Sequence, residues 1–228
     1  MPISKIKIIY EDNHLLAVVK PAGLATMGVS KGKSSLIIVA KDYIKRRYKK
    51  PGNVYLGVVS RLDAPVTGVA LFARTSKAAA RLTEQFRTHA IEKTYWALVE
   101  GILEPAESAF SDCLGKDESR RRMRVVGAKL PGAKVAELTY HRLKIIHGNC
   151  LVEITLHTGR KHQIRLQFAD HGHPVIGDRK YGSKQGFPAG IALHARRLVI
   201  THPIKGDRLV LEAPLPVAWH RWGVKLPN

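Results

Sequence analysis

The sequence predicts an α+β fold, a mixed, mainly antiparallel sheet with flanking helices. Three observations lead there. Short β-rich runs separated by turn residues recur along the whole chain. Two windows carry the 3.6-residue apolar spacing of an amphipathic helix. Strands and helices do not alternate strictly, as a parallel sheet would require. A chain of 228 residues, 45% apolar and 25% charged, is globular rather than disordered. The length allows one large domain or two small ones and is read as one domain over residues 1–228.

The N-terminal segment reads as a hairpin, Ile6–Tyr10 and Leu15–Lys20, turned by Glu11-Asp12-Asn13 and stopped by Pro21 and Gly23. Ser34-Ser35 can cap a helix whose apolar side holds Leu36, Ile37, Ala40, Ile44 and Tyr48. Its far end carries Lys45, Arg46, Arg47, Lys49 and Lys50. Cations there suit the helix dipole, but so many exceed what the dipole needs and point to phosphate contact. Val54–Val59 and Val69–Ala73 read as strands joined by the polar loop from Ser60 to Gly68. A second helix from Ser76 is expected to bury Ala79, Leu82, Phe86 and Ala90. Thr94–Val99 alternates as a strand, with Tyr95, Ala97 and Val99 on one face. Residues 115–134 are the least apolar stretch, and their Lys/Arg outnumber Asp117 and Glu118. They read as a protruding loop or hairpin, either an RNA-gripping arm through Arg120, Arg121 and Arg122 or a solvated linker. Strands at Val135–Tyr140 and Cys150–His157 follow, then a short helix over Lys161–His171 closed by Gly172. Strands at Leu193–Ile200 and Arg208–Leu211 and a Pro-containing tail complete the chain.

Charge and missing motifs narrow the function. Lys+Arg total 38 against 18 Asp+Glu, a net +20. Such a surface attracts polyanions, nucleic acid first. Membrane ranks last: no apolar run approaches the roughly 20 residues of a span, and no basic amphipathic helix with an aromatic face stands out. The N-terminus has no secretory pattern, and Cys113 and Cys150 are too few for a disulfide framework. Both facts suggest a reducing compartment, read as the cytoplasm. No HExxH, zinc-deaminase, phosphate-loop, GxGxxG or GxSxG pattern occurs, so metal, nucleotide and serine-hydrolase chemistry lack support. The histidines read as caps and core hydrogen bonds. Neither metal nor cofactor is expected.

Three candidates remain. Asp63, two residues after Arg61, stands in a loop that two buried strands would display, although such aspartates more often cap turns. Tyr95 lies mid-strand beside small Ala97, which leaves room for a flat ring, although a core tyrosine is the commoner case. In Thr158-Gly159-Arg160-Lys161-His162-Gln163-Ile164-Arg165 a turn feeds a helix start whose N–H groups suit an anion. A buried Arg165 would need a carboxylate, and Asp63 could be it; alternatively Arg160, Lys161 and Arg165 form one solvated basic face.

Lys20-Pro21-Ala22-Gly23, Arg61-Leu62-Asp63 with Gly68, and Lys93-Thr94-Tyr95-Trp96-Ala97-Leu98-Val99-Glu100-Gly101 resemble the RluA family of pseudouridine synthases. So do the run from Thr158 to Arg165, Gly172-His173-Pro174-Val175-Ile176-Gly177-Asp178 and Leu193-His194-Ala195. The motifs come in family order from about Ile8 to Pro214. The resemblance implies an α+β fold with a catalytic cleft and cofactor-free isomerisation of uridine to pseudouridine in RNA. Ribosomal RNA is preferred over transfer RNA, and a monomer without an obligatory protein partner is expected. By position, Asp63 matches the catalytic aspartate, Tyr95 the active-site tyrosine and Arg165 the basic residue that pairs with that aspartate. Arg61 matches the arginine that fills the gap left by a flipped base, and the family places apolar residues such as Ile164 and Leu166 nearby. Ser60 stands where the family usually has His, and Val66-Thr67 where it usually has Thr-Ser. Because the matched motifs begin near the start of the sequence, the S4 domain of many relatives is expected to be lacking and the basic side chains of this domain are expected to grip RNA: Lys45, Arg46, Arg47, Arg120, Arg121, Arg122, Arg160 and Lys161.

The implied chemistry suits these residue types. A base inside a helix cannot turn, so the nucleotide is flipped out at a cost of a few kcal/mol. Breaking the bond from N1 to the sugar builds positive character at C1′, which a fixed carboxylate stabilises or attacks. Competing readings are a non-catalytic RNA-binding protein on the same fold and an N-glycosidase, which would want a second placed carboxylate.

Overall fold

The computed structural model describes residues 6–30, 32–118 and 122–224. They divide between two compact units, one within residues 1–92 and 195–215, the other within 93–194 and 216–228. Among the described residues no helix is long and apolar enough to cross a membrane.

In the first unit β1 (Lys7–Glu11) and β2 (Leu15–Lys20) form the expected hairpin. Asp12 makes its turn: Oδ1 accepts from the amides of His14 and Leu15 at 2.8 and 2.7 Å. α1 (Leu36–Arg47) follows, then the short β3 (Gly57–Val58), β4 (Thr67–Ala73) and α2 (Ser76–Arg87). β2 pairs antiparallel with β4 from Leu15–Ala73 to Lys20–Gly68. β10 (Leu193–Thr201) lies beyond β4, and β11 (Arg208–Glu212) pairs with β10. β2 and β4 are covered on both faces, which is why their sequences are nearly continuous apolar runs. α1 packs Leu36, Ala40 and Ile44 against Leu16, Val18, Ala70 and Phe72. α2 packs Ala78 and Leu82 against Leu15, Ala17, Val69 and Leu71. Each such large side chain contributes roughly 1.5–3 kcal/mol on burial.

In the second unit β5 (Glu92–Val99), β9 (Asn149–Leu156), β8 (Lys134–Ile146), β6 (Glu107–Asp117) and β7 (Arg122–Val125) pair antiparallel in that spatial order. α3 (Gln163–Asp170) buries Phe168 against Phe110 and Tyr140, ring centroids 5.2 and 5.7 Å apart. A 3-10 turn, Arg179–Tyr181, follows. α4 (Val217–His220) buries Trp219 against Phe187, 5.8 Å between centroids.

Several details differ from the sequence reading. Only Gly57–Val58 of the expected strand Val54–Val59 pairs, at two β4 rungs, while Val54 and Leu56 enter the core outside any strand. α2 ends at Arg87, where the Thr88 hydroxyl donates to Glu84 O, and Ala90 is exposed beyond it. The Ser35 hydroxyl does not cap α1; the amides of Leu36 and Ile37 donate instead to Ala25 O and Thr26 O. The strand β6 went unread because its run, ESAFSDCLGKD, has little β-propensity or alternation. Pairing with β8 makes it a strand, and its end with β7 forms the hairpin expected within 115–134. Arg120 and Arg121 lie outside the described residues.

Candidate active site

Asp63 lies on the loop between β3 and β4, half-buried, and the main chain around it is fastened from several sides. The Thr26 hydroxyl donates to Leu62 O at 2.9 Å and accepts from Leu62 N at 3.1 Å. Ala64 O accepts from Gly23 N at 2.8 Å and from Lys20 Nζ at 3.0 Å. Val66 N donates to Asp63 O at 3.1 Å. The neighbours of Asp63 on both sides are thus tied to the Lys20–Thr26 segment, which explains the Lys-Pro-Ala-Gly run that precedes them in the chain.

Lys20 is the unusual group here. It is fully buried at the end of β2. Its ammonium donates to three carbonyls: Pro21 O at 2.8 Å, Leu24 O at 2.7 Å and Ala64 O at 3.0 Å. Burial pushes its pKa down to about 8, and the charge of Asp63 pulls the other way. One signal of it was legible: a lysine closing the otherwise apolar run Leu-Leu-Ala-Val-Val.

Gly68 belongs to the same construction. It sits in β4 with φ of +122°, and a Cβ there would lie against the Ala195 backbone, 2.5 Å from its nitrogen and 2.7 Å from its carbonyl carbon. Glycine is required by close approach as well as by backbone angle.

In the second unit Tyr95 stands on β5 opposite Ile154 of β9, half-buried. Lys93, two residues before it, donates to Thr158 O at 3.3 Å; burial and then Arg160 lower its pKa. Arg165 is buried in α3 and has a carboxylate partner within its own unit, Asp178, which sequence reasoning left without a role. Nε donates to Oδ2 at 2.6 Å and Nη2 to Oδ1 at 2.9 Å, a bidentate pair. The Tyr181 ring lies against the guanidinium, 5.1 Å from Cζ to its centroid.

The turn at 158–163 is partly spent on itself. Gln163 Oε1 accepts from Arg160 N at 3.0 Å and from the Thr158 hydroxyl at 2.8 Å, and Gln163 N donates to Arg160 O at 3.2 Å. Those two amides, offered to an anion by the sequence reading, are engaged within the chain. Arg160 Nε also donates to Val135 O at 2.8 Å, while Lys161 is exposed. Of the other basic candidates, Arg61 and Lys45 are exposed, Arg46 pairs with Asp42 at 3.0 Å, and Arg47 reaches Glu11 at 3.6 Å. Arg122 opposes Asp117 across the hairpin, with Arg124 exposed beside it. Among the described residues no three His, Cys, Asp or Glu side chains gather as metal ligands.

Comparison with known proteins places this construction. The family model described as RNA pseudouridylate synthase matches residues 14–170. Ribosomal large subunit pseudouridine synthase D of Pseudomonas aeruginosa is 31% identical over 227 residues, covering 93% of this chain and 69% of its own. tRNA pseudouridine synthase C of Vibrio parahaemolyticus is 30% identical over 235 residues, covering 95% of this chain and 93% of its own. The solved structure of human RNA pseudouridylate synthase domain containing 4 superposes with a TM-score of 0.80 at 25% identity, covering 97% of this chain and 95% of that one. The chain belongs to the RNA pseudouridylate synthase family. Within it, the chain is a catalytic domain of the RluA type, an enzyme acting on RNA, and the non-catalytic and glycosidase readings give way.

Proposed function

We propose that the chain isomerises uridine in structured RNA with Asp63 acting at C1′ of a flipped nucleotide. The observation that carries this is the fastening of Asp63: a carboxylate whose flanking main chain is held by Thr26, Gly23 and Lys20 is presented at a fixed place. Electrostatic stabilisation of developing positive charge depends on such preorganisation, because a carboxylate already in place needs no reorganisation as the bond breaks. Tyr95 stacks on the uracil and exchanges a proton in a later step. Arg165, braced by Asp178, takes the role that its motif implies. Arg61 occupies the vacated stack, and the basic side chains supply phosphate contacts, which makes binding steeply salt-dependent.

Ribosomal RNA is the proposed substrate, and the chain works as a monomer in the cytoplasm. Tritium released from uridine C5 measures the reaction. Asp63→Asn is expected to abolish release from ribosomal RNA and leave RNA affinity within about twofold. Full activity in that variant would refute the assignment. Release from transfer RNA alone would move the substrate.

A further inference from the structure

We infer that Tyr181 is a positioning residue with two tasks: its ring orients Arg165, and its hydroxyl latches the β6–β7 arm to the start of α3 within the same unit. The arm bears Arg122, one of the basic side chains expected to meet phosphate, together with Lys116 and Arg124. Its inner side, Leu114 with Met123 and Val125, packs on Leu166 and Tyr181. Tyr181 is 8% exposed, and it is where the arm and the arginine meet a common side chain.

Three contacts define the position. The ring lies 5.1 Å from Arg165 Cζ, within cation–π range, while Asp178 holds the edge of the same guanidinium through both oxygens. One residue fixes the face and the other the edge, so the guanidinium plane is held in one orientation. The 3-10 turn links the two, with Tyr181 N donating to Asp178 O at 3.0 Å. At the far end of the ring the hydroxyl oxygen accepts from Met123 N, 3.4 Å away on β7, and lies 2.7 Å from His162 Nδ1. These bonds are compatible when the hydroxyl hydrogen goes to Nδ1, which places the imidazole proton on Nε2. His162 caps α3 with φ of 57°, a left-handed conformation that non-glycine residues hold only when surroundings fix it. A tyrosine serving as core filler needs neither the hydroxyl bonds nor a ring against a guanidinium.

The inference rests on the reading that Arg165 serves turnover, and the test separates the two. Tyr181→Phe keeps the ring and removes both hydroxyl bonds; His162→Asn tolerates the left-handed backbone and removes one of them. Both are expected to hold kcat for tritium release within twofold and to weaken binding to ribosomal RNA three- to tenfold. Tyr181→Leu removes the ring as well, and kcat is expected to fall tenfold or more beyond Tyr181→Phe. Equal kcat in the Phe and Leu variants, or unchanged affinity in Tyr181→Phe, overturns the inference. If Tyr181→Leu does not fold, the matched affinity loss of Tyr181→Phe and His162→Asn decides, and failure to match overturns it. An Arg165→Lys control with full turnover would instead strike the role given to Arg165, leaving the arm latch to be judged by affinity.

Discussion

A single methyl group at Gly68 tests the close approach beneath the Asp63 loop. In Gly68→Ala the new Cβ would fall 2.5 Å from Ala195 N and 2.7 Å from Ala195 C. Ordinary contacts of this kind lie at about 3.5 Å, so β4 and β10 must part by roughly 1 Å. Forced overpacking costs about 1–3 kcal/mol, and the glycine-type backbone at φ of +122° adds about 1–3 kcal/mol for alanine. Taken together that is about 4 kcal/mol, a large share of the roughly 5–15 kcal/mol that holds a domain folded. For a chain of this size the melting temperature should fall by about 8–16 °C. Calorimetry or circular dichroism reads the change, with urea midpoints as a second measure. The obstruction is backbone, so Ala195→Gly should not rescue the variant. A Gly68→Ala protein that melts within about 2 °C of the parent would refute the reasoning.

Three further outcomes follow from the same geometry. Asp178→Asn takes the bidentate carboxylate away from the buried Arg165 guanidinium, and thermal melts should show a loss of about 3–5 kcal/mol. Thr26→Val keeps shape but strips the clasp from Leu62 N and O; denaturant unfolding should show a loss of about 1–3 kcal/mol, with tritium-release kcat falling beside it. Lys20 titrates at about 8 when folded against 10.5 when free, so between those values the unfolded chain holds the extra proton. Its contribution to stability should therefore rise with pH across that window by about 3 kcal/mol, seen as a slope in urea midpoints that Lys20→Met lacks. Above pH 10 the trend reverses, because burial and Glu11 push the Tyr43 phenol up to about 12, so ionisation of the unfolded chain comes first.

Most of the fold was legible, and each success has a local cause. β2 and β4 were readable because burial on both faces demands continuous apolar runs. α1 and α2 were readable because each must present one stripe to that sheet. Gly172 was readable as a helix stop, and φ of +85° confirms it. β6 was not, because eleven residues with little apolar alternation become a strand only by pairing with β8. The Ser35 cap was misread because the α1 amides found carbonyls on a neighbouring loop, which no local pattern announces. At the site, Arg165 was expected to need a carboxylate, with Asp63 the candidate named; Asp178, thirteen residues further along, supplies one that no local pattern announced.

The order of residues alone determined the element types, the basic balance and the motifs that carry the family resemblance, since these rest on local propensity, composition and spacing. Tertiary structure decided that Lys20 is a buried ammonium among three carbonyls, that Thr26 clasps Leu62, and that Tyr181 joins an arm to an arginine. Each of those depends on groups distant in sequence being driven together by apolar burial, after which buried polar atoms must find partners wherever the packing has left them.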